Sequence, residues 1–296
     1  MNQIVTPLVS VVIPSYNHAQ YLGRALQSVI DQTYNNWEII VVDNHSTDNT
    51  DKVIEYYSDP RIRYFKIQNN GIIAISRNIA IKAALGEWIA FLDSDDWWRP
   101  DKLKVCIENI NKGVDIIHHD LGIISNKYNF LKRRLIKSRQ LKLPITLDLI
   151  VNGNALATSS VMVKRKLLIQ VSGMSENPAL VAAEDYNTWL RISQLSDGFK
   201  YIPELLGFYQ IHNMGTSSSK DMSIPKTFAI ADFVHLLSKQ QMYKVNAELN
   251  YTRGRFYYLS DNCIEASKYL RGSLKYSNIS IKFKAVVMLI ILALIR

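Results

Sequence analysis

Cysteine is scarce in this sequence of 296 residues, since Cys106 and Cys263 are its two cysteines and they lie far apart. Neither belongs to a CxxC pair or a Cys/His cluster, so the sequence predicts neither a disulfide framework nor a zinc site. This usage fits a reducing compartment. The amino terminus has no basic segment followed by a long apolar one, so we predict no signal peptide and a cytoplasmic location.

Long apolar runs are also few. The run 285–295, near the carboxyl terminus, is flanked by Lys282, Lys284 and Arg296. A helix of this length covers about half of a hydrocarbon core ~30 Å thick, so we expect it not to cross a bilayer. Two placements stay open. Basic flanks and an apolar body suit a helix in the membrane interface, and a helix packed on the protein's own core has the same pattern.

Acidic residues are missing from 121–147, in a chain whose net charge is +9. The basic residues of this run are Lys127, Lys132, Arg133, Arg134, Lys137, Arg139 and Lys142. Such a patch suits an anionic surface such as lipid headgroups, and a solvated surface loop is the alternative. No motif typical of nucleic-acid binding accompanies it, so we expect no nucleic-acid partner.

The first half of the sequence alternates apolar, strand-like runs with segments of helical length. The predicted strands cover 8–14, 37–43, 62–67, 87–93 and 114–119, and the predicted helices cover 18–33, 48–58, 74–85 and 99–112. Strands that are apolar along their whole length and separated by helices are typical of a mostly parallel sheet covered on both faces. The sequence therefore predicts an α/β fold.

Beyond residue 120 the pattern loosens. A strand flanked by helices is predicted over 147–168, and a helix over 182–193. From Pro225 onward the sequence predicts helices only, over 225–248, 251–260, 262–276 and 280–295. We expect these last helices to form an appendage to the α/β fold.

Polar residues follow three of the predicted strands, in the segments 14–17, 43–46 and 93–96. Ligands of open α/β sheets bind in the crevice beyond the carboxyl ends of the strands. We therefore expect these three segments to line one site.

The segment 93–96, Asp-Ser-Asp-Asp, concentrates charge of one sign. Carboxylates this close together need a cation or raised pKa values. Oxygen ligands favour Mg²⁺ or Mn²⁺, and Mg²⁺ commonly binds substrate phosphates as well. A calcium loop of the EF-hand type is excluded, because Trp98 stands where glycine is needed and Lys104 where glutamate is needed. An exposed acidic turn is the remaining alternative.

Four motifs then occur in an order and spacing that resemble those of family 2 glycosyltransferases. The stretches VSVVIPSYNHAQYLGRALQSVIDQTYNNWEIIVVDNHSTDNT and GIIAISRNIAIKAALGEWIAFLDSDD are similar to the nucleotide-binding half of members with a GT-A fold. The resemblance covers about residues 8–215. It implies a glycosyltransferase domain over 1–222, with a nucleotide-sugar-binding half (1–119) and an acceptor half (120–222). Outside the resemblance we expect a helical region over 223–296, whose apolar tail either associates with a membrane or packs on the protein.

For the donor, the resemblance implies a pocket for the base and ribose after the first two strands. The residues at the matching positions are Pro14, Ser15, Tyr16, Asn17 and Asp43. A carboxylate accepts a hydrogen bond from an imide N–H such as that of uracil, and a tyrosine covers a ring face. Asn44 and His45 depart from the family's VDDGSTD pattern.

The resemblance also implies a site for the diphosphate and a metal. It places Arg77 against the diphosphate or the acidic segment, and Asp93 and Ser94 against the nucleotide sugar. Asp95, together with Asp93, would bind Mn²⁺ or Mg²⁺. For Arg77 the alternative is an ordinary charge on a helix surface.

Asp185, in the segment AEDYNTWLRI, matches the aspartate that acts as general base in the family, and Glu184 beside it matches an acceptor-binding acid. An inverting transfer needs a carboxylate that takes the proton from the acceptor hydroxyl. The alternative is that both acids only stabilise the start of a helix through its dipole.

The segment LGFYQIHNMGTSSS resembles the family's closing motif, with Gln210 where arginine is frequent. It implies His212 as a further metal ligand, and a structural histidine is the alternative. The Q-x-x-R-W motif of processive members is absent, so we expect one sugar to be transferred per encounter.

The resemblance assigns no role to the three residues that follow Asp95. We expect Asp96 to cap the helix that begins near Pro100. Trp97 and Trp98 are either core anchors or a wall on which a sugar stacks.

The resemblance implies an inverting, metal-dependent transfer from a nucleoside-diphosphate sugar to a saccharide acceptor. The donor would be a UDP-sugar and the acceptor lipid-linked, at the inner face of the cytoplasmic membrane, in O-antigen or capsule synthesis. One alternative, a sugar-phosphate nucleotidyltransferase, needs a glycine-rich phosphate loop that VVIPSYNHAQ lacks. The other, an inactive nucleotide-sugar-binding protein, predicts the loss of Asp95 or Asp185, and both are present.

Overall fold

The computed structural model describes residues 6–125, 134–211 and 220–294. The chain forms two compact units. The sheet unit comprises Met1–Leu141, Ala155–Glu176 and Arg191–His212, and the helical unit comprises Lys142–Asn154, Asn177–Leu190 and Asn213–Arg296. The chain thus enters the helical unit three times. The domain boundaries expected near residues 119 and 222 stay predictions.

The strands and helices follow the sequence in this order. The strands are β1 (Val9–Ser15), β2 (Trp37–Asp43), β3 (Ile62–Lys66), β4 (Trp88–Phe91), β5 (Trp97–Trp98), β6 (Ile116–Ser125), β7 (Arg134–Ile136), β8 (Met162–Lys164) and β9 (Phe199–Ile211). The helices are α1 (Ala19–Ile30), α2 (Thr50–Tyr56), α3 (Ile73–Ala83), α4 (Lys102–Glu108), α5 (Ile145–Asn152), α6 (Arg165–Gln170), α7 (Glu184–Ile192), α8 (Ser223–Ile230), α9 (Lys239–Leu259), α10 (Cys263–Ser273) and α11 (Ile279–Leu294). Short 3₁₀ helices lie at Thr158–Ser160, Pro178–Leu180 and Ala231–Leu236.

The strands of the described residues form one sheet in the order β3-β2-β1-β4-β8-β6-β9-β5, with β7 paired to β6. The first four strands in this order pair in parallel. Beyond β4 the pairing is mixed, because β8 runs antiparallel to β4 and β6 while β9 runs parallel to β6. The predicted α/β class is confirmed. Four of the five strands expected from the first half of the sequence, β1 to β4, form the parallel part, and the fifth, expected over 114–119, is β6 in the mixed part.

The core lies between the parallel strands and the helices packed on them. Every residue of β1, β2 and β4 is buried, which is what strands without an apolar–polar alternation predict. On α1, Leu22, Leu26 and Val29 recur at spacings of four and three, so one side of the helix faces this core. Each such side chain contributes roughly 1.5–3 kcal/mol to the hydrophobic stabilisation.

A buried carboxylate between β1 and β2 is fully provided with donors. Ser10 and Glu38 face each other in the parallel register, and the Ser10 hydroxyl donates to Glu38 Oε1 at 2.6 Å. The main-chain N–H of Leu85 donates to the same oxygen at 2.6 Å, and that of Gly86 donates to Ser10 Oγ at 2.9 Å. These bonds fix the entry into β4 beside β1, since a buried charge without partners would be costly.

The helical unit begins its long helix at a signal that the sequence prediction missed. The Ser238 hydroxyl accepts from the Gln241 main-chain N–H, and the Gln241 side-chain oxygen accepts from the Ser238 main-chain N–H. This reciprocal pair is a capping box at the start of α9. The helix then continues to Leu259, so the predicted helix over 225–248 and the predicted interruption near residue 250 were wrong. Gly254 lies inside this helix and does not end it, because it is buried where Leu270 of α10 packs closely against it.

Helix α11 has two sides with different surroundings. Its Ala285 and Leu292 pack in an apolar cluster with Ala266 and Leu270 of α10. Its other side leaves a row of apolar side chains exposed, which we call the α11 stripe: Ile279, Phe283, Val286, Val287, Ile290, Ile291 and Leu294. No helix in the described part of the chain has the length and apolarity that a membrane crossing needs.

We expect Gly86→Ala to destabilise the sheet unit by about 1–3 kcal/mol, because backbone cannot yield to the added carbon. A Cβ at Gly86 would lie 2.6 Å from the Leu8 carbonyl oxygen and 2.8 Å from the Ser10 nitrogen. Urea unfolding measures the change. Gly23→Ala is the matched control, since its Cβ meets the Tyr57 side chain at an ordinary 3.6 Å inside α1. The control should be neutral or stabilising, and equal losses in both variants would contradict this reading.

Candidate functional site

The ends of three parallel strands meet at one edge of the sheet. β1 lies between β2 and β4, and Ser15 is the register partner of Asp43. The Leu92 main-chain N–H continues the ladder from β4 to Val12. The structure therefore brings the segments 14–17, 43–46 and 93–96 to the same edge, as expected from the sequence.

Asp43 organises the loop after β2. It is completely buried, and its carboxylate accepts from the main-chain N–H of Ser46 at 2.9 Å and from the Ser46 hydroxyl. Ser46 Oγ in turn accepts from the main-chain N–H of Asn17 at 2.7 Å, and Asn17 Oδ1 accepts from the Thr47 N–H at 2.8 Å. The loops after β1 and β2 are thus one hydrogen-bonded structure, beside which the Tyr16 side chain is 55% exposed.

The departures at positions 44 and 45 have different consequences for this loop. Asn44 Oδ1 accepts from the Asn69 main-chain N–H at 2.8 Å, so it ties the loop to the segment before α3. His45 has a φ of 50°, in the left-handed region where glycine is unstrained and other residues are less stable by roughly 1–2 kcal/mol. The glycine of the usual pattern suits this backbone, and His45 adopts it at a cost.

Arg77 lies against the acid turn, by which we mean residues 93–96. Its Nη2 donates to Asp93 Oδ1 at 2.6 Å. The arginine side chain is 3% exposed and the aspartate 28%, so the guanidinium forms the inner partner of the pair. A buried arginine paired with a carboxylate differs from the alternative of a solvated charge on a helix surface.

Ser94 is buried and contacts a residue that the sequence reasoning missed. His18 Nδ1 and Ser94 Oγ are 2.8 Å apart, and the imidazole stands edge-on to the Tyr21 ring. His18 follows directly on Pro14–Asn17 in the chain. Its position next to that segment was the one signal that could have identified it.

Asp96 does not cap a helix, so that prediction was wrong. It is buried, its Oδ2 accepts from the Ser159 hydroxyl at 2.5 Å, and its Oδ1 accepts from the Gln210 main-chain N–H at 3.0 Å. Burial raises the pKa of this carboxyl well above its ordinary value, as do the charges of Asp95 and Asp93. The N-cap position of α4 is instead taken by Asp101, whose side chain makes no capping bond.

Ser159 holds the acid turn from two sides. Besides its bond to Asp96, its Oγ accepts from the Asp93 main-chain N–H at 3.1 Å, and its carbonyl accepts from the Trp98 indole N–H at 2.8 Å. Trp98 is buried, and Trp97 stacks on Phe208 with ring centres 5.1 Å apart. Both tryptophans therefore pack as anchors of the turn.

The two acids of AEDYNTWLRI open α7 and belong to the helical unit at that point. Glu184 is buried, and its Oε2 accepts from the Ala182 main-chain N–H at 2.7 Å, which matches the helix-start alternative for this residue. Asp185 Oδ2 accepts from the Asn154 side chain at 3.5 Å. In the same unit, burial lowers the pKa of Lys226, and the negative charges of Glu248 and Asp185 oppose this shift.

Some predicted residues lie outside the described ranges. They are His212 of the proposed metal set and Lys127, Lys132 and Arg133 of the basic run. Within the described ranges, no group of three or more His, Cys, Asp or Glu side chains is arranged to hold a metal ion. The assignment of Asp93 and Asp95 as metal ligands stays a prediction.

Comparison with known proteins agrees with the resemblance. The sequence model of "Glycosyl transferase family 2" matches residues 10–170. TuaG of Bacillus subtilis (strain 168), a glycosyltransferase named for teichuronic acid biosynthesis, is 32% identical over 231 residues, which are 76% of this chain and 87% of TuaG. WfgD of Escherichia coli, a UDP-Glc:alpha-D-GlcNAc-diphosphoundecaprenol beta-1,3-glucosyltransferase, is 31% identical over 235 residues, 77% of this chain and 87% of WfgD.

A solved structure shares the fold. The crystal structure of S. aureus TarS 1-349 in complex with UDP-GlcNAc superposes with a TM-score of 0.66 and 18% identity, covering 96% of this chain and 88% of that one. At this identity the likeness concerns the fold alone. The GT-A fold predicted from the sequence motifs is thereby confirmed.

Proposed function

This chain belongs to glycosyl transferase family 2 and is a glycosyltransferase, and on that premise we propose that it transfers one sugar, with inversion, from a nucleoside-diphosphate sugar to a saccharide acceptor. The observation that carries the proposal is the acid turn after β4, with Arg77 bonded to Asp93, and the Asp43 loop after β2, which is separated from β4 by β1 alone. Charge and hydrogen-bonding groups for a nucleoside diphosphate thus lie at the same edge of the sheet.

For the donor we propose that the base and ribose bind at Pro14–Asn17 and Asp43. Both Asp43 oxygens already accept bonds from Ser46, and each carboxylate oxygen has capacity for a second donor, such as an imide N–H. The exposed ring of Tyr16 is available to cover the base. Arg77 and Ser94 are proposed to contact the diphosphate side of the donor. A UDP-sugar is the proposed donor, in line with the ligand of TarS and the donor in the name of WfgD.

Family members commonly use a divalent cation, and the acid turn fits one. Mg²⁺ and Mn²⁺ take oxygen ligands, and Mg²⁺ typically takes one or two carboxylates together with substrate phosphates. Asp95 and Asp93 would hold the ion, with His212 as a further ligand. When bound, the cation offsets the negative charge that develops on the leaving diphosphate.

For the acceptor side we propose Asp185 as the general base. It would take the proton of the acceptor hydroxyl as that oxygen attacks the anomeric carbon, whose bond to the diphosphate breaks. The negative charge of Asp185 opposes the lowering of the Lys226 pKa by burial, so a lysine lies within electrostatic reach of the proposed base. Glu184, bonded to the Ala182 main chain, is proposed to support this helix start and the acceptor beside it.

The acceptor is proposed to be lipid-linked and reached at the inner face of the cytoplasmic membrane, in surface-polysaccharide synthesis. The name of WfgD specifies a diphosphoundecaprenol-linked acceptor. At 100° per residue, the α11 stripe covers one side of the helix, and Lys282 and Lys284 lie along its two edges. Lysines at the borders of an apolar face suit a helix lying in an anionic lipid interface.

A nucleotide bound with a metal should raise the melting temperature of the wild type. UDP, GDP and dTDP, each with Mn²⁺ or with EDTA, form the panel. At about 100 times Kd we expect an increase of roughly 5–10 °C with one nucleotide and Mn²⁺. Asp95→Ala should lose that increase, and Asp101→Ala, nearby in sequence on the start of α4, should keep it. An equal response of wild type and Asp95→Ala would refute the metal assignment, and no response to any nucleotide would refute the donor site.

Asp185→Asn should lower turnover by about 10²–10⁴-fold, because the amide accepts no proton, while the nucleotide-dependent melting shift stays unchanged. Release of nucleoside diphosphate is followed with a GlcNAc-diphosphoundecaprenol probe as acceptor. Asp232→Asn changes an exposed aspartate of the same unit and serves as control. If turnover of Asp185→Asn stays within threefold of the wild type, Asp185 is not the general base.

Vesicles containing anionic phosphatidylglycerol should bind the wild type. The double variant Phe283→Ser and Ile290→Ser should bind at least about tenfold more weakly, since each side chain loses roughly 1.5–3 kcal/mol of burial. Ile264→Ser, on α10, removes an equally exposed apolar side chain outside the stripe and should bind as the wild type does. Equal binding by the double variant would contradict the proposal. A wild type that sediments as a dimer, with a double variant that sediments as a monomer, would also contradict it, because a second copy of the chain would then cover the stripe.

A further inference from the structure

Arg24, on α1, is a second arginine that contacts the acid turn, besides Arg77. Its Nη2 donates to the main-chain carbonyl oxygen of Asp95 at 2.9 Å and lies 3.3 Å from Gln210 Oε1. The main-chain N–H of Gln210 also binds the Asp96 carboxylate. One guanidinium thus connects α1, the acid turn and β9 within the sheet unit.

The guanidinium is held flat by an aromatic stack. Its central carbon lies 3.5 Å above the Trp97 ring, and Trp97 stacks on Phe208 at an interplanar angle of 22°. Trp97 and Phe208 are also backbone partners in the pairing of β5 with β9. A planar cation on an indole gains cation–π energy and keeps its N–H groups pointing in fixed directions, which an ammonium group does not do.

Arg24 and Arg77 act on the turn in different ways. Arg77 bonds a carboxylate oxygen of Asp93, whereas the bond from Arg24 goes to the main chain of Asp95 and occupies no carboxylate oxygen of that residue. Burial lowers the pKa of Arg24, and the charges of Asp96 and Asp95 oppose this shift. The arginine therefore fixes the backbone that carries Asp95 and also offsets the charge of its neighbours.

We propose that Arg24 is the positioning residue of the acid turn: its bond to the Asp95 carbonyl and its stack on Trp97 hold the Asp95 carboxylate where a metal-bound diphosphate needs it. The inference rests on the proposed function, since it concerns the same donor site. It assigns no contact between Arg24 and the donor. Loss of Arg24 should therefore weaken metal-dependent nucleotide binding selectively, and leave metal-independent binding through the Asp43 loop in place.

The test compares Arg24→Met with a matched arginine–tryptophan stack elsewhere in the sheet unit. Arg61 also lies 3.5 Å above an indole, that of Trp37, and bonds Asp59, but it does not contact the acid turn. The probe is whichever of UDP, GDP and dTDP stabilises the wild type, titrated calorimetrically with Mn²⁺ and with EDTA. Losing one charge-assisted hydrogen bond should weaken binding in Mn²⁺ by about tenfold. Binding in EDTA should stay within twofold, and Arg61→Met should bind like the wild type in both.

Arg24→Lys separates position from charge, because it keeps the charge and loses the planar stack. We expect it to restore no more than a small part of the Mn²⁺-dependent affinity. Full recovery by Arg24→Lys would overturn the proposal in favour of charge alone, and so would wild-type affinity in Arg24→Met. A loss that is equal in Mn²⁺ and EDTA, or equal in Arg61→Met, would overturn it in favour of general destabilisation. If no nucleotide binds the wild type, the proposed donor site fails and this inference fails with it.

Discussion

Repulsion among the carboxylates of Asp93, Asp95 and Asp96 is the constraint on which the rest of the site depends. Asp93 is paired with Arg77, and Asp96 is buried with a raised pKa between Ser159 and Gln210. Arg77 offsets the charge of Asp93, and the Asp96 side chain is turned into the protein interior. We propose that the half-buried Asp95 contributes most to the attraction for a cation. This explains why so much of the surrounding structure, from Ser159 to the Trp97 stack, serves to hold one short turn.

The acid turn has this position because β1, β2 and β4 pair in parallel. These strands are buried at every residue, so exposed polar groups can first occur where each strand ends, at the edge of the sheet. Ser15 and Asp43 are register partners, so the loops that follow them start side by side. Ser46 then joins both loops, because its hydroxyl oxygen accepts from the Asn17 N–H and its own N–H donates to the Asp43 carboxylate. The apolar sheet and the polar site are therefore two consequences of the same strand register.

The sequence predicted what depends on local pattern and missed what depends on distant packing. The apolar runs located β1 to β4, and the polar strand ends located the site edge. Ser159 could not be found, because it reaches Asp96 from 63 positions away and its own segment carries no motif. Asp96 was misassigned because an aspartate before a helix usually is a cap, and only its burial shows otherwise. The capping box at Ser238 is the opposite case, a local signal that was present in the sequence and was overlooked.

Helix α11 shows why an apolar run alone could not settle its own placement. The run 285–295 is apolar all round, so its sequence contains little periodicity that separates a buried side from an exposed one. Packing against Ala266 and Leu270 creates the difference, because it uses the side with Ala285 and Leu292 and leaves the α11 stripe uncovered. The two placements that the sequence left open are therefore compatible. One side holds the helix on its own unit, and the other presents an apolar row bordered by lysines.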